Sequence, residues 1–398
     1  MSDSLSTSRD TLFSVGFTAV LGLIALTVIS VMAGRLLIEG LGLHAPWPGY
    51  ADTVANLHNL SARIRWLLGD LSEVAFYKHE FASIGLLAGG ALAWWGNVQG
   101  KRWQGFAICY GTGLWPWLVT SSLLGVLLGN LLWGWTLSAG GWQPTFVAFV
   151  SVPAAMVLMF GGGWKVAING AWLGALLVTP ASLLIVNYVC NPLQWPVVIG
   201  NVSGMAIASV VVFGLCRALP MLVVSRQPYA TVAPPPQRAP DYGLRWMLRR
   251  TLADFSEGPF FGNEWASLGL ILGALLAFGL NPASPFYGSG WLPELLAAQA
   301  LASALGIVVW RRRWIEHGWY PTYIPIVSVV PATLLVHGNS LSVMAISAVL
   351  GALLAPPLAA AISRRLPAHQ HGYIGNVCSM AISTLLIVPM TGALVSTF

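Results

Sequence analysis

Of the chain's 398 residues, 56% are apolar and only 8% charged, against about 25% charged in soluble domains, which excludes an ordinary water-soluble enzyme and makes the bilayer the expected solvent. The formal charge of +6 does not indicate a nucleic-acid partner. Its basic residues are grouped between apolar runs, as Lys101 with Arg102, Arg217 to Arg250, Arg311 to Arg313, and Arg364 with Arg365, the pattern of cytoplasmic loops under the positive-inside rule.

Apolar runs of about 17–25 residues, each able to cross roughly 30 Å of hydrocarbon as a helix, recur along the chain. The first, Leu12 to about Ile38, is longer than a cleavable signal core of about 7–15 residues. It is read as a retained N-terminal transmembrane helix within 1–40, with the N-terminus cytoplasmic and the C-terminus extracytoplasmic. An extracytoplasmic segment follows at 41–61. Residues 62–216 carry helices expected near 82–96, 105–136, 145–160, 166–188 and 197–216. A Pro-rich cytoplasmic linker covers 217–243 and ends in "RQPYATVAPPPQRAPDYG" (226–243), too polar to pack. Residues 244–398 carry five more runs, near 265–280, 291–310, 322–337, 341–363 and 374–394.

The two long segments match each other. "DLSEVAF" (70–76) meets "DFSEGPF" (254–260), "YGTGLWP" (110–116) meets "YGSGWLP" (287–293), "GWQPT" (141–145) meets "GWYPT" (318–322), and "IGNVSGMAI" (199–207) meets "IGNVCSMAI" (374–382). Five crossings per copy is an odd number, so the second copy is expected to enter the membrane from the opposite side. The predicted fold is an all-α polytopic membrane protein of about 11 transmembrane helices: one N-terminal helix and two inverted-topology repeats of five, each opened by a short re-entrant segment.

Such architectures place a solute path at the interface of the halves, lined by interrupted helices. The DLSE and DFSE segments are the expected interruptions, with Ser72, Glu73 and Phe76 facing Ser256, Glu257 and Phe260 across the path. Asn201 and Asn376, inside the last helix of each half, are candidates for lining it or for bonding helix to helix. Glu80 and Glu264 begin the following helices, where a carboxylate favours the positive end of the helix dipole; they are expected to cap those helices or to border the path. Tyr110 and Tyr287, with their neighbouring glycines, read as close-packing starts of helices. His369 and His371 read as a solvated loop. Cys109, Cys190, Cys216 and Cys378 share no close spacing, and neither a metal site, a cofactor fingerprint nor a catalytic motif is found.

In layout and in these short motifs the chain resembles the urea transporter family, whose halves open with a half-helix reading roughly S-Q-V-x-F and close on an asparagine. "SEVAF" (72–76) keeps Ser72, Val74 and Phe76, "SEGPF" (256–260) keeps Ser256 and Phe260, and Asn201 and Asn376 fall near the closing asparagine. The resemblance implies a channel or secondary transporter of the bacterial inner membrane, and a homotrimer. Glu73 and Glu257 replace the family's glutamine, and Ile199-Gly200 and Ile374-Gly375 replace its Pro-Phe. Those differences move the expected solute from urea toward a small polar or cationic one. The partners expected are that solute and the lipid bilayer. The competing readings are a membrane-embedded enzyme acting on a lipid-linked substrate through His79, Glu80 and segment 39–80, and a non-transporting scaffold subunit.

Overall fold

A computed structural model describes residues 47–137, 141–223 and 242–396. The expected N-terminal helix and most of the Pro-rich linker lie outside the described residues. Among the described residues there are helices and no strand. In chain order they are α1 (Tyr50–Ala55), α2 (Leu60–Asp70), α3 (Glu80–Val98), α4 (Trp115–Trp133), α5 (Val152–Phe160), α6 (Trp164–Leu193), α7 (Val197–Ala218), α8 (Leu244–Ala253), α9 (Glu264–Leu280), α10 (Leu292–His317), α11 (Val329–His337), α12 (Leu341–Ser363) and α13 (Tyr373–Val395).

Seven of these, α3, α4, α6, α7, α10, α12 and α13, are long and apolar enough to cross a bilayer. Their outward faces carry bare Leu131, Leu184, Leu341 and Leu386, which suits hydrocarbon and not water. The chain is an integral membrane protein by the length and composition of these helices.

The closest helix pair is α3 against α9. Both carry Gly-x-x-x-Gly, as Gly85 with Gly89 and Gly269 with Gly273, the spacing that lets helix backbones touch in a membrane. A Cβ on Gly85 would stand 2.0 Å from the Gly269 carbonyl oxygen, and one on Gly269 would stand 2.0 Å from that of Gly85. Gly89 lies against Trp265, and Gly273 against Phe81, so the helices run antiparallel. Glu80 is therefore level with about residue 274, and Glu264 with about residue 90. At 1.5 Å per residue the two helix N-termini are separated by about 15 Å in depth, half the thickness of a hydrocarbon core.

Several expected elements are reshaped, each for a local reason. The helix expected over 105–136 begins only at Trp115, because Gly105, Cys109, Tyr110, Gly111 and Gly113 all have positive φ. Gly105 is required there: a Cβ would meet the Glu264 carboxylate at 2.3 Å. The helices expected over 145–160 and 322–337 are each split into a 3₁₀ turn (Thr145–Ala148, Ile324–Val327) and a short helix, α5 and α11, at Ser151 and Ser328. α6 outruns its expected 166–188 and contains two π turns, Gly174–Val178 and Val186–Cys190. Pro180 and Pro192, which lack an N–H, follow them closely and account for the widened turns. Tyr50–Ala55 forms a helix inside the segment expected to connect at 41–61.

The acidic motifs are not independent half-helices. Each is the last, tightened turn of a preceding amphipathic helix: α2 runs into the 3₁₀ turn Glu73–Ala75, and α8 into Asp254–Ser256. Both end on a phenylalanine in the left-handed region, Phe76 at φ 68° and Phe260 at φ 64°, and the chain doubles back into α3 or α9. Non-glycine residues cost free energy in that region and persist only where their surroundings fix them.

Candidate functional site

Ser72 and Ser256 hold these reversals together. The Ser72 hydroxyl lies 3.0 Å from the His79 carbonyl and accepts the His79 N–H at 3.1 Å; Ser256 does the same with Asn263 at 2.9 and 3.1 Å. His79 and Asn263 are then the N-caps of α3 and α9: His79 Nδ1 accepts the Phe81 N–H, and Asn263 Oδ1 accepts those of Trp265 and Ala266. A histidine and an asparagine thus fill one role at matched positions. His79→Asn is accordingly expected to leave thermal stability unchanged, and His79→Ala to cost about 1 kcal/mol; equal melting temperatures for the two variants would remove the capping role.

Glu80 and Glu264 occupy the first turn beyond those caps. Glu80 is paired with Arg65 at 3.8 Å, and Glu264 with Arg249 at 2.7 Å and with the Phe106 N–H at 2.6 Å. Arg65 and Arg249 stand at matched positions of α2 and α8. Both glutamates lie in the first turn of their helices, the caps themselves being His79 and Asn263, and neither borders the central cavity.

Glu73 and Glu257 sit in two buried charge clusters. In the first, Asp70, Glu73 and Lys78 are 0%, 1% and 6% exposed. Lys78 Nζ bonds to Asp70 Oδ1 and, at 2.6 Å, to Glu73 Oε2. Trp142 Nε1 and Tyr287 Oη reach Glu73 Oε1 at 2.5 and 3.1 Å, and Asn130 Nδ2 donates to Asp70 Oδ2 at 2.7 Å. In the second, Arg250 Nη2 bonds to Glu257 Oε2 at 2.5 Å and to Asp254 Oδ1 at 2.9 Å. Trp319 Nε1 reaches Glu257 Oε1 at 2.8 Å, the Tyr110 hydroxyl also bonds to Glu257, and Ser303 and Thr322 bond to Asp254 Oδ2.

The cation comes from a different place in each cluster. Lys78 stands where the second segment has Gly262, with its ammonium 3.7 Å from the centre of the Trp66 ring; Arg250 stands where the first has Trp66. Tyr110 and Tyr287, read from sequence as the starts of packed helices, instead each bring a hydroxyl to the carboxylate of the other segment. The repeated Y-G-x-G and G-W-x-P-T motifs were the available signal, but a repeat shows only that a residue recurs, and its partner lies far along the chain.

Between the two reversals lies a cavity of about 30 Å³, room for about two waters. Its lining comes in matched pairs: Phe76 with Phe260, Val74 with Gly258, Phe146 with Tyr323, Val202 with Val377, Met205 with Met380. Of the expected path residues, Phe76, Phe260 and Asn201 border it, whereas Ser72, Ser256, Glu73 and Glu257 lie behind it. No charged side chain is in the lining. Asn376 gives its Nδ2 to Tyr323 Oη at 3.1 Å. Phe146 takes the matched place of Tyr323, so Asn201 has no such hydroxyl to donate to; its Oδ1 is buried without a partner. Val74 closes the middle, with a methyl where a Cβ on Gly258 would come within 2.7 Å.

No family model matches this chain, and no curated protein matches it.

His371 is less solvated than expected: its ring stacks on Phe213 and meets Phe260 and Tyr373 edge-on or tilted. Desolvation by these rings pushes its pKa down to about 4, and the neutral ring accepts the Tyr373 N–H at Nδ1. His369 does lie in the loop, beside Arg217. Among the described residues no group of histidine, cysteine and carboxylate side chains is arranged to hold a metal.

Proposed function

We propose that the protein is a channel or secondary transporter for a small, uncharged polar solute, moving between two inverted five-helix repeats within a set of about 11 spans. The observation that carries this reading is the cavity lined in matched pairs from both segments, with Asn201, whose Oδ1 has no partner, among the lining residues. A buried acceptor without a donor is costly, and a passing N–H or O–H would satisfy it. The uncharged lining favours a neutral solute over a cation, since both glutamates are engaged by Lys78 or Arg250 behind the wall.

The remaining expectations belong to the same proposal: an inner-membrane location, cytoplasmic N-terminus, and the homotrimer implied by resemblance to urea transporters. Val74 lies against Gly258 in the cavity lining and would have to withdraw from it for passage. In reconstituted vesicles, Asn201→Leu is expected to lower the flux of small amides and polyols about tenfold, from about 1–3 kcal/mol of lost hydrogen bonding. Val74→Ala is expected to raise it. Flux equal to that of protein-free vesicles for every solute tried, in wild type and in Val74→Ala, would remove the transport reading.

A further inference from the structure

Asp70, Glu73 and Lys78 set two carboxylates against one ammonium group, all buried. The other groups facing them are neutral: Trp142, Asn130 and Tyr287 by hydrogen bonds, and Tyr50, whose hydroxyl feels both acids. The nearby cation Arg65 is engaged with Glu80. Counted as ions, the cluster carries one negative charge too many in a place where an uncompensated charge is strongly disfavoured. Asp70 is the less suitable acid to neutralise, because the Asn130 N–H and the Lys78 ammonium each point at one of its oxygens. Glu73 likewise takes Lys78 at Oε2 and the Trp142 N–H at Oε1, but Oε1 also faces the Tyr287 hydroxyl at 3.1 Å, which can donate or accept.

A second observation points to the same place. Beside Lys78 is a void of about 20 Å³, bordered by Tyr50, Thr53, Arg65, His79 and Glu80, enough for one water. His79 lines that void; the residue is 2% exposed and its Nε2 has no hydrogen-bond partner. Thr53 and Arg65 also border a wider hollow among the exposed residues Asp52, Asn56 and Asn59.

We propose that the Asp70–Glu73–Lys78 cluster is a binding site for one exchangeable proton, carried on Glu73 Oε1 and donated to Tyr287 Oη, with the His79-lined void as its route to water. On binding, a water-borne proton forms an O–H bond at Glu73 and the Tyr287 hydroxyl turns from donor to acceptor; on release the proton returns to water and the hydroxyl turns back. Because Phe76 follows Glu73 by one turn and borders the cavity, proton exchange would be coupled to solute passage. That coupling rests on the proposed function; the proton site does not.

The test is infrared difference spectroscopy on the full chain in lipid nanodiscs, in H₂O and D₂O, across an acid-to-alkaline titration. Wild type is expected to show a protonated-carboxyl stretch that shifts in D₂O and disappears as pH rises. Glu73→Gln should lack this component, Glu257→Gln should keep it, and Tyr287→Phe, which removes a single hydroxyl, should move its frequency. If Glu73→Gln does not fold, Tyr287→Phe carries the assignment alone. Absence of the band in wild type at every pH, or a band unmoved in Tyr287→Phe, would overturn the proposal. A titrating band at Glu73 in a protein that passes no solute would leave the proton site standing and remove the transport reading.

Discussion

Lys78→Gly is expected to cost about 3–5 kcal/mol of stability, the loss that follows when a buried ion pair is left with one partner missing. Asp70 and Glu73 would remain buried with Trp142, Tyr287 and Asn130 but no cation. The backbone itself accepts the change: Lys78 is at φ 47° and its counterpart Gly262 is at φ 56°. Adding Trp66→Arg should restore much of the loss, because Arg250, at the position matched to Trp66, already supplies the cation for Asp254 and Glu257. Trp66 now donates to Thr145 Oγ1 at 2.8 Å. Freed of it, Thr145 could turn to Asp70 as the matched Thr322 turns to Asp254. Chemical-denaturation midpoints of the two singles and the double give the coupling. A double variant as unstable as the sum of its singles would mean that the two clusters do not exchange the position of their cation.

A second large effect is expected from Gly85→Ala or Gly269→Ala. Each new methyl would stand 2.0 Å from a backbone carbonyl oxygen of the facing helix, and no flexible side chain is there to move aside. The pair must separate, at about 1–3 kcal/mol per substitution. Gly214 in α7 is the control, since nothing lies within 4 Å of its Cβ position. Gly214→Ala should leave stability unchanged or raise it by up to about 1 kcal/mol, through helix propensity. Melting temperatures in one detergent would separate the two cases; three equal values would show that the α3–α9 contact gives way freely.

The membrane character, the strongest apolar helices and the starts of α3 and α9 were legible in the sequence, because length and composition fix them. What could not be read was how polar groups find each other. Glu73 and Glu257 stood out as acids in an apolar chain and were expected on a solute path, whereas Lys78 and Arg250 engage them outside the lining of the central cavity. The reason lies in the matching itself: Lys78 aligns with a glycine and Arg250 with a tryptophan, so a comparison of the copies hides both cations. Likewise the 105–136 run is apolar enough for one helix, yet its first part is bent into left-handed turns that carry Tyr110 to Glu257. Asn201 and Asn376 were visible as a pair, but only the exchange of Phe146 for Tyr323 decides that Asn376 alone can give its amide N–H to a phenol.

The reversals are tied to distant chain. The Phe286 N–H bonds to the Tyr77 carbonyl and the Cys109 N–H to that of Phe261, while Gln299 reaches Tyr77 and Ala75. Glu73 obtains its Tyr287 partner 214 residues later in the chain. At synthesis rates of about 5–20 residues per second, that partner arrives about 10–40 s after the glutamate leaves the ribosome. During that interval an acid destined for the protein interior lacks the hydroxyl that completes its shell. Until then Lys78 and Trp142 are the partners within reach of Glu73, and the later segment completes the shell that the earlier one begins.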